Sequence, residues 1–240
     1  MKLMQNMAIS GMALVLALAS QAQGADLSGK VTLKGTPPAE KQLPINPSDP
    51  TCGKLHKTIP TTRFYLADKD GGLADVVVYV KQGVPTDKKF TPPAEPVVID
   101  QHGCEFFPYV TAAMAGQKIH VKNSDPFMHN VNHAPVADIQ KRPMNVAQMA
   151  NGPIIERAFE KQTDLLVRFK CDVHPWMFSY VAILDHPYFA VTGKDGAFKI
   201  PNLPPGKYVV EAFHRKAGAI TKEITMADDN QTLDFTLEVK

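Results

Sequence analysis

Short runs of β-branched and aromatic residues, separated by proline and glycine, recur along this chain from residue 27 to its end. Such runs favour extended strands, whereas proline and glycine favour the turns between them. The strongest run is 76–80, which consists of four valines and one tyrosine. After residue 24, no long segment has the 3.6-residue apolar period of an amphipathic helix. With 20 prolines and 15 glycines in 240 residues, the chain is predicted to be all-β.

The predicted strands are short and follow one another closely. They cover residues 27–34, 73–82, 96–100, 105–114, 117–122, 128–133, 163–171 and 178–184. The polar, proline-rich stretch 37–62 is predicted to be an extended loop. Residues 134–162 are less regular, and we predict a short helical turn over 144–149. Beyond residue 186, Asp195-Gly196 is typical of a hairpin turn, and alternating strands continue to the C-terminus.

The first 24 residues have the pattern of a secretory signal peptide. Lys2 is their only charged residue, and an apolar run extends from Met7 to Ala19. This run is too short for a membrane span, and small residues precede a predicted cleavage before Ala25. An uncleaved anchor is the alternative. We therefore expect a protein that is exported to the periplasm or beyond. No membrane span is expected, because no later segment has the roughly 18 consecutive apolar residues that a spanning helix needs.

The charge pattern and the lack of catalytic motifs narrow the classes of partner. Charged residues make up 21% of the chain and the formal net charge is +2, without a basic tract for nucleic acid or an anionic membrane. The sequence has no glycine-rich phosphate loop, carboxylate pair or nucleophile–base arrangement. We expect no nucleic-acid partner, no small-molecule substrate and no enzymatic activity.

The chain has three cysteines, Cys52, Cys104 and Cys171. An oxidising compartment favours pairing, and an odd number leaves one thiol over. Cys52 and Cys104 lie in turn-like sequences, so we predict a disulfide between them. A metal cluster of Asp100, His102 and Cys104 is the alternative. Cys171 would then be a free thiol in an exported protein, a liability that a bound metal would remove.

A thiol, an imidazole and a thioether lie close together at Cys171, His174 and Met177. Cysteine and methionine are soft ligands that suit copper, and two histidines, a cysteine and a weak axial methionine define a blue-copper electron-transfer site. The second imidazole must come from another strand, and His129 lies at a suitable strand–loop junction. His133, four residues later on the same strand face, could take its place. We predict a copper site of His129, Cys171, His174 and Met177.

The segments around His129 and Cys171 resemble the cupredoxin family over roughly residues 95–185. The loop 171–177 is similar to the amicyanin branch of the amicyanin- and plastocyanin-like proteins, which shares its His-Pro-aromatic-Met ending. One position departs from that pattern, because Val173 stands where proline is usual. Unlike proline, Val173 carries an N–H group. We expect this N–H to point at the thiolate and to raise the reduction potential.

The resemblance implies a cupredoxin-like Greek-key β-sandwich with one type 1 copper ion. It implies that His129, Cys171 and His174 are the strong ligands and that Met177 is the axial one. It also implies that Asn130 connects the two ligand loops and polarises the thiolate.

The resemblance further implies that the ring edge of His174 faces the surface, where a redox protein would dock. An apolar docking patch is expected around it, made of Pro126, Phe127, Pro175, Trp176 and Phe178. Core packing is the alternative for Trp176 and Phe178.

The C-terminal region 186–240 resembles the carboxypeptidase regulatory-like (transthyretin-like) β-sandwich, through residues 190–208. This implies a structural or docking role without chemistry of its own. The predicted organisation is a signal peptide over 1–24, an N-terminal β extension over 25–94 and the cupredoxin-like domain over 95–185, followed by the small β module.

These features predict an exported blue copper protein that transfers single electrons between redox partners. Two alternatives remain open. A periplasmic copper carrier or metallochaperone would use the same ligands, and a cupredoxin-fold binding module without metal would contain Cys171 as a buried thiol.

Overall fold

The computed structural model describes residues 24–133, 144–161 and 165–240. Almost all of the predicted signal peptide therefore lies outside the described residues. Within them the fold is all-β, as predicted, with one single-turn 3-10 helix at Gly53–Leu55 and no α-helix. No helix in these ranges is long and apolar enough to cross a membrane.

The strands follow one another along the described chain in the following order. They are β1 (Ala25–Lys34), β2 (Val77–Gln82), β3 (Val97–His102), β4 (Glu105–Phe107), β5 (Val110–Met114), β6 (Ile119–Asn123), β7 (His129–His133), β8 (Met144–Gln148), β9 (Ile155–Arg157), β10 (Leu166–Lys170), β11 (Phe178–Leu184), β12 (Phe189–Val191), β13 (Ala197–Leu203), β14 (Gly206–His214), β15 (Gly218–Met226), β16 (Gln231–Thr232) and β17 (Phe235–Glu238).

The first sandwich contains the strands that carry the predicted site. One sheet has the order β5-β11-β10-β7-β8, and the other has the order β4-β3-β6-β9. Alternate side chains of both sheets form a common buried core that includes Ile99, Val121, Phe169 and Val181. This core includes Cys171, so the predicted site is built directly on the core of the first sandwich.

The second sandwich joins the two ends of the chain. In one sheet β1 pairs with β13, β16 and β17, and the other sheet has the order β12-β2-β14-β15. Leu27, Val78, Val210 and Phe235 are among the side chains of its core. Strands of the predicted N-terminal extension and of the predicted C-terminal module thus belong to the same sheets.

The two sandwiches pack directly against each other. Val77 and Tyr79 of the second sandwich share a small buried cluster with Val110, Ala182 and Leu184 of the first. The parallel pairing of β5 with β11 sets three of these residues on neighbouring strands. The contact is apolar, so it stabilises the arrangement by excluding water from both faces.

Most predicted strands are observed with shifted ends, but two predictions require correction. The run 105–114 forms two strands, β4 and β5, in different sheets, with a cis Phe107–Pro108 peptide between them. The helical turn predicted over 144–149 is wrong, because Met144–Gln148 is strand β8. Its backbone pairs antiparallel with all five residues of β7, and this pairing overrides the weak local preference for helix. The predicted strand 163–171 is observed over Leu166–Lys170, and its residues 163–164 lie outside the described ranges.

The long loop between β1 and β2 is attached to the first sandwich. Its side chains Ile45 and Cys52 belong to the first core, and Gln42 forms an isolated bridge with Thr61. The predicted disulfide is confirmed, because Cys52 and Cys104 are bonded across a sequence separation of 52 residues. The loop is therefore held covalently beside the end of the sandwich that bears the predicted site.

Candidate metal centre

Three neighbouring strands of one sheet bring the predicted ligands together. Strand β10 lies between β7 and β11 in that sheet. His129 begins β7, Cys171 directly follows β10, and His174 lies in the loop that leads to β11. Because β7 and β10 are antiparallel, the start of one strand and the end of the other meet at the same edge.

Two backbone hydrogen bonds close the loop between β10 and β11. The N–H of Cys171 donates to the carbonyl of Met177 at 3.1 Å, and the N–H of Met177 donates to the carbonyl of His174 at 2.9 Å. The Met177 side chain is fully buried in the first core. The loop is therefore a tight turn that holds Cys171 and His174 in a fixed relation.

Donor atoms of His129, Cys171 and His174 all lie within 4.8 Å of one another. The two Nδ1 atoms are 3.1 Å apart, and the Sγ atom of Cys171 is 3.7 Å from Nδ1 of His174. His129 and Cys171 are buried, and His174 is half-buried. Metal–nitrogen and metal–sulfur bonds are about 2.0–2.3 Å long, so a single ion between these atoms could bind all three. A set of two imidazole nitrogens and one thiolate sulfur is one that copper binds, and the residues therefore fit that metal.

The thiol of Cys171 is activated by its neighbours. Burial raises its pKa, but hydrogen bonds from His129 and His174 outweigh this effect and lower the pKa to about 5. For His129, burial lowers the pKa, and the hydrogen bonds with Asp125 and Cys171 reverse this and raise it. The shift of Cys171 favours its thiolate, and the thiolate is the form of cysteine that binds metals.

A buried carboxylate orients His129. The Nε2 atom of His129 lies 2.8 Å from Oδ2 of Asp125, which is 1% exposed. Asp125 also accepts hydrogen bonds from the N–H groups of Gly103 at 2.6 Å and Cys104 at 2.8 Å. The carboxylate keeps a proton on Nε2 of His129, which leaves Nδ1 to face the other two donors. The sequence alone did not indicate this role of Asp125. Its position four residues before His129, in the turn that precedes β7, is the signal that could have suggested it.

Asn130 connects the two segments that carry the donors. Its Oδ1 atom accepts a hydrogen bond from the N–H of Asp172 at 2.7 Å and lies 3.2 Å from the Sγ atom of Cys171. Its Nδ2 atom donates to Oδ1 of Asn145 on β8 at 2.7 Å. The N–H of Val173 lies 3.4 Å from the same Oδ1 atom of Asn130. The expectation that this N–H points at the sulfur is therefore corrected, since its bond is to Asn130.

The rival histidine, His133, is placed elsewhere. Its ring packs against the rings of Phe159 and Phe169, with centroids 5.6 and 5.4 Å away. It lies at the far end of β7 and is not part of the donor group described above. The structure thus brings His129, rather than His133, to Cys171.

The alternative cluster of Asp100, His102 and Cys104 is not formed. The sulfur of Cys104 is bonded to Cys52, and Asp100 forms an ion pair of 2.9 Å with Lys122. His102 is exposed on the surface. The disulfide interpretation of this segment is therefore the correct one.

The outer nitrogen of His174 faces the disulfide. Its Nε2 atom is 3.5 Å from the Sγ atom of Cys52, and its ring packs against Trp176 with centroids 5.2 Å apart. The indole N–H of Trp176 donates to the carbonyl of Cys104 at 3.1 Å. The ring edge of His174, which was expected to face the surface, is therefore partly covered by the long loop.

The predicted docking patch is a mixture of surface and core. Pro126 and Pro175 are exposed, whereas Phe127, Trp176 and Phe178 are half-buried. Trp176 packs against the first core, as the core-packing alternative expected, and Phe127 does so too. Phe178 packs instead against the rings of Tyr109 and Tyr180.

Comparisons with known proteins give structural similarities only. No protein-family model matches the sequence, and no curated protein matches it. Among solved structures, a copper-containing nitrite reductase (NirK) from Thermus scotoductus SA-01 is similar at 23% identity and a TM-score of 0.32. That similarity covers 44% of this chain and 26% of the reductase, so the chain spans about a quarter of that protein.

Two small copper proteins are similar over most of their own length. A purple cupredoxin from Nitrosopumilus maritimus shares 20% identity, with a TM-score of 0.30 over 36% of this chain and 98% of its own. The reduced Cu(I) form of an amicyanin point mutant shares 15% identity, with a TM-score of 0.33 over 39% of this chain and 91% of its own. Each of these similarities covers less than half of the present chain.

Proposed function

We propose that this protein is an exported type 1 copper protein that transfers single electrons between redox partners. The observation that supports the proposal best is the convergence of two Nδ1 atoms and one Sγ atom at the end of the first sandwich, where His129 and Cys171 are buried and His174 is half-buried. In this proposal His129, Cys171, His174 and Met177 would together hold one copper ion.

The surrounding residues hold this donor set in place. Copper, when bound, would supply one-electron chemistry by cycling between its +1 and +2 states. Asp125 fixes the ring of His129, and Asn130 fixes the backbone after Cys171. Because both supports are buried or half-buried hydrogen bonds, the donors would move little when the oxidation state changes.

The proposed docking region lies around His174. Its ring is the half-buried member of the donor group and lies beside Trp176 and the exposed Pro175. Redox encounters use small interfaces that form and separate quickly, and a patch of this kind suits them. The strands of the C-terminal module would have a structural or docking role.

Copper carriage is the second candidate. The contact of 3.5 Å between Nε2 of His174 and Sγ of Cys52 covers part of the ring edge that electron transfer would use. A carrier would bind copper with the same donors and would not need an exposed ring.

Addition of Cu(II) to the purified apoprotein separates these functions. We expect an intense visible thiolate-to-copper band that is lost in Cys171→Ser and in His129→Gln. The matched control is His133→Gln, which removes the rival imidazole and should keep the band. Colourless, tight Cu(I) binding without the band would favour the carrier. The absence of stoichiometric copper binding would overturn both functions and favour a module without metal.

Export is tested separately by cell fractionation, with the full sequence and with residues 1–24 removed.

A further inference from the structure

Sulfur atoms lie on both sides of the two imidazole rings at the candidate centre. On the inner side, the Nδ1 atoms of His129 and His174 face Cys171. On the outer side, Nε2 of His174 is 3.5 Å from the sulfur of Cys52. The sulfur of Cys104, the other half of the same disulfide, lies within 4.8 Å of a ring nitrogen of His129.

The outer side holds a second set of donors. Atoms of Cys104, Asp125 and His129 lie within 4.8 Å of one another, and all three residues are buried. They offer a sulfur, a carboxylate oxygen and an imidazole nitrogen, which are the ligand types that Zn²⁺ binds. Tetrahedral zinc ligands are roughly 3.3–3.9 Å apart. Nε2 of His129 and Oδ2 of Asp125, now 2.8 Å apart, would therefore separate slightly when an ion binds between them.

The disulfide prevents these residues from binding a metal, because the sulfur of Cys104 is not a thiolate while it is bonded to Cys52. A dithiol reductant breaks the disulfide by two thiol–disulfide exchanges. The S–S bond of the protein breaks and one forms in the reductant, and each cysteine sulfur gains one electron and one proton. A metal ion then displaces the proton from Cys104.

We propose that opening the Cys52–Cys104 disulfide creates a second metal site for a borderline divalent cation such as Zn²⁺, with Cys104, Asp125 and His129 as its ligands. The fourth position is open to water or to the released thiol of Cys52. The site has three protein ligands and one exchangeable position, which is a common zinc arrangement.

Charge and hydrogen bonding favour this arrangement. One thiolate and one carboxylate neutralise a divalent ion, so the buried site carries no net charge. An ionised carboxylate has about four acceptor positions. Asp125 can therefore keep its hydrogen bonds from the N–H groups of Gly103 and Cys104 while the ion replaces the proton on Nε2 of His129.

This inference uses the outer atoms only and does not rest on the proposed copper function. Cys171 takes no part in it, so a background that lacks Cys171 removes the inner donor set. In that background, neither the presence nor the absence of Zn²⁺ binding gives information on whether the protein binds copper.

The test uses full-length variants of the Cys171→Ser protein, titrated with Zn²⁺ against a chromogenic chelator. Cys171→Ser, with its disulfide intact, should bind no tight equivalent. Cys171→Ser/Cys52→Ser frees the Cys104 thiol without a reductant and should bind about one equivalent. Adding Cys104→Ser should abolish that binding, and adding Asp125→Asn should weaken it at least about ten-fold. Co²⁺ in the double variant should give a thiolate-to-metal absorption band.

Two results would overturn the proposal. One is a double variant that binds no Zn²⁺, and the other is a triple variant without Cys104 that binds it as tightly. Circular dichroism establishes that each variant is folded. If Cys52→Ser prevents folding, the Cys171→Ser protein is reduced anaerobically with a dithiol to two free thiols per chain. It is then titrated after removal of the reductant, with the same stoichiometry deciding the outcome.

Discussion

The Nε2 atom of His129 lies 2.8 Å from the Oδ2 atom of Asp125, and both side chains are almost completely buried. A carboxylate in this position fixes the tautomer and the orientation of the ring, and it makes Nδ1 a stronger metal ligand. The proposed copper site therefore depends on a residue that would not itself touch the metal.

We expect Asp125→Asn to lower copper affinity by about ten-fold, because a neutral amide holds and polarises the ring of His129 less well than a carboxylate. Competition with a chromogenic Cu(I) chelator measures the affinity. The matched control is Asp100→Asn, since Asp100 forms its ion pair with Lys122 on the same sandwich. Unchanged affinity in Asp125→Asn would show that the carboxylate has no influence on the site.

The side chain of Asn130 should stabilise the apoprotein as well as the donor loop. Asn130→Ala removes the acceptor of the Asp172 N–H, and we expect a loss of about 1–3 kcal/mol in the free energy of unfolding. Urea unfolding measures it. Asn132→Ala is the control, because Asn132 donates to the Asp172 side chain in an exposed hydrogen bond and should cost less than about 1 kcal/mol. Equal losses in the two variants would contradict the role given to Asn130.

The N–H of Val173 should influence the proposed copper site through Asn130. It lies 3.4 Å from the Oδ1 atom of Asn130, which is itself 3.2 Å from the sulfur of Cys171. Val173→Pro removes this N–H group and the partial positive charge on its hydrogen. Cu(II) should then be stabilised relative to Cu(I), so the reduction potential should fall. Redox titration of the copper-loaded variant measures the change, with Val173→Ala as the control that keeps the N–H. A raised or unchanged potential in Val173→Pro would exclude this effect.

Stability should depend on pH through His214. Burial lowers the pKa of its ring to about 4, and the positive charge of Arg215 contributes to this lowering. The ring packs on Tyr65, and its Nδ1 accepts a hydrogen bond from the N–H of Ala217 at 3.1 Å. Between about pH 6.5 and pH 4 the unfolded chain binds a proton that the folded chain does not. The contribution of the neutral His214 ring to the free energy of unfolding is therefore fully present above about pH 6.5. It is lost as the pH falls towards 4, and the loss amounts to about 3 kcal/mol.

Urea unfolding at several pH values measures this dependence in the wild type and in His214→Asn, whose amide oxygen can still accept the hydrogen bond from Ala217. The variant should lose less stability on acidification than the wild type. His102→Asn, at an exposed position, controls for the loss of an imidazole. Parallel pH curves for wild type and His214→Asn would contradict the assignment.

The donor group of His129, Cys171 and His174 could be predicted because most of its ligand types lie close together in the sequence. Cys171, His174 and Met177 lie in one short loop, and His129 stands at a strand–loop junction of the kind that reaches the same sheet edge. The sequence predicted His129 but left His133 as its rival, because the choice between them depends on where the rings of Phe159 and Phe169 lie. Those two side chains come from other parts of the chain.

The role of Asp125 could not be predicted for a related reason. Its two backbone partners, Gly103 and Cys104, precede it by 22 and 21 residues, and no periodic pattern relates them. The error at Met144 has the same origin. The five residues of β8 have a weak local preference, and only their pairing with β7 makes them a strand.

The pairing of β1 with β17 also has a consequence for how the chain folds. Val31 pairs with Phe235, so the second sandwich is closed by contacts across 204 residues. Contacts this distant in sequence form slowly, because a long loop must close before they can contribute. All strands of the first sandwich, β3 to β11, lie between β1 and β17 along the chain. The first sandwich can therefore assemble before β1 has paired with β17, and until then the edge of β1 that pairs with β17 is open to other strands.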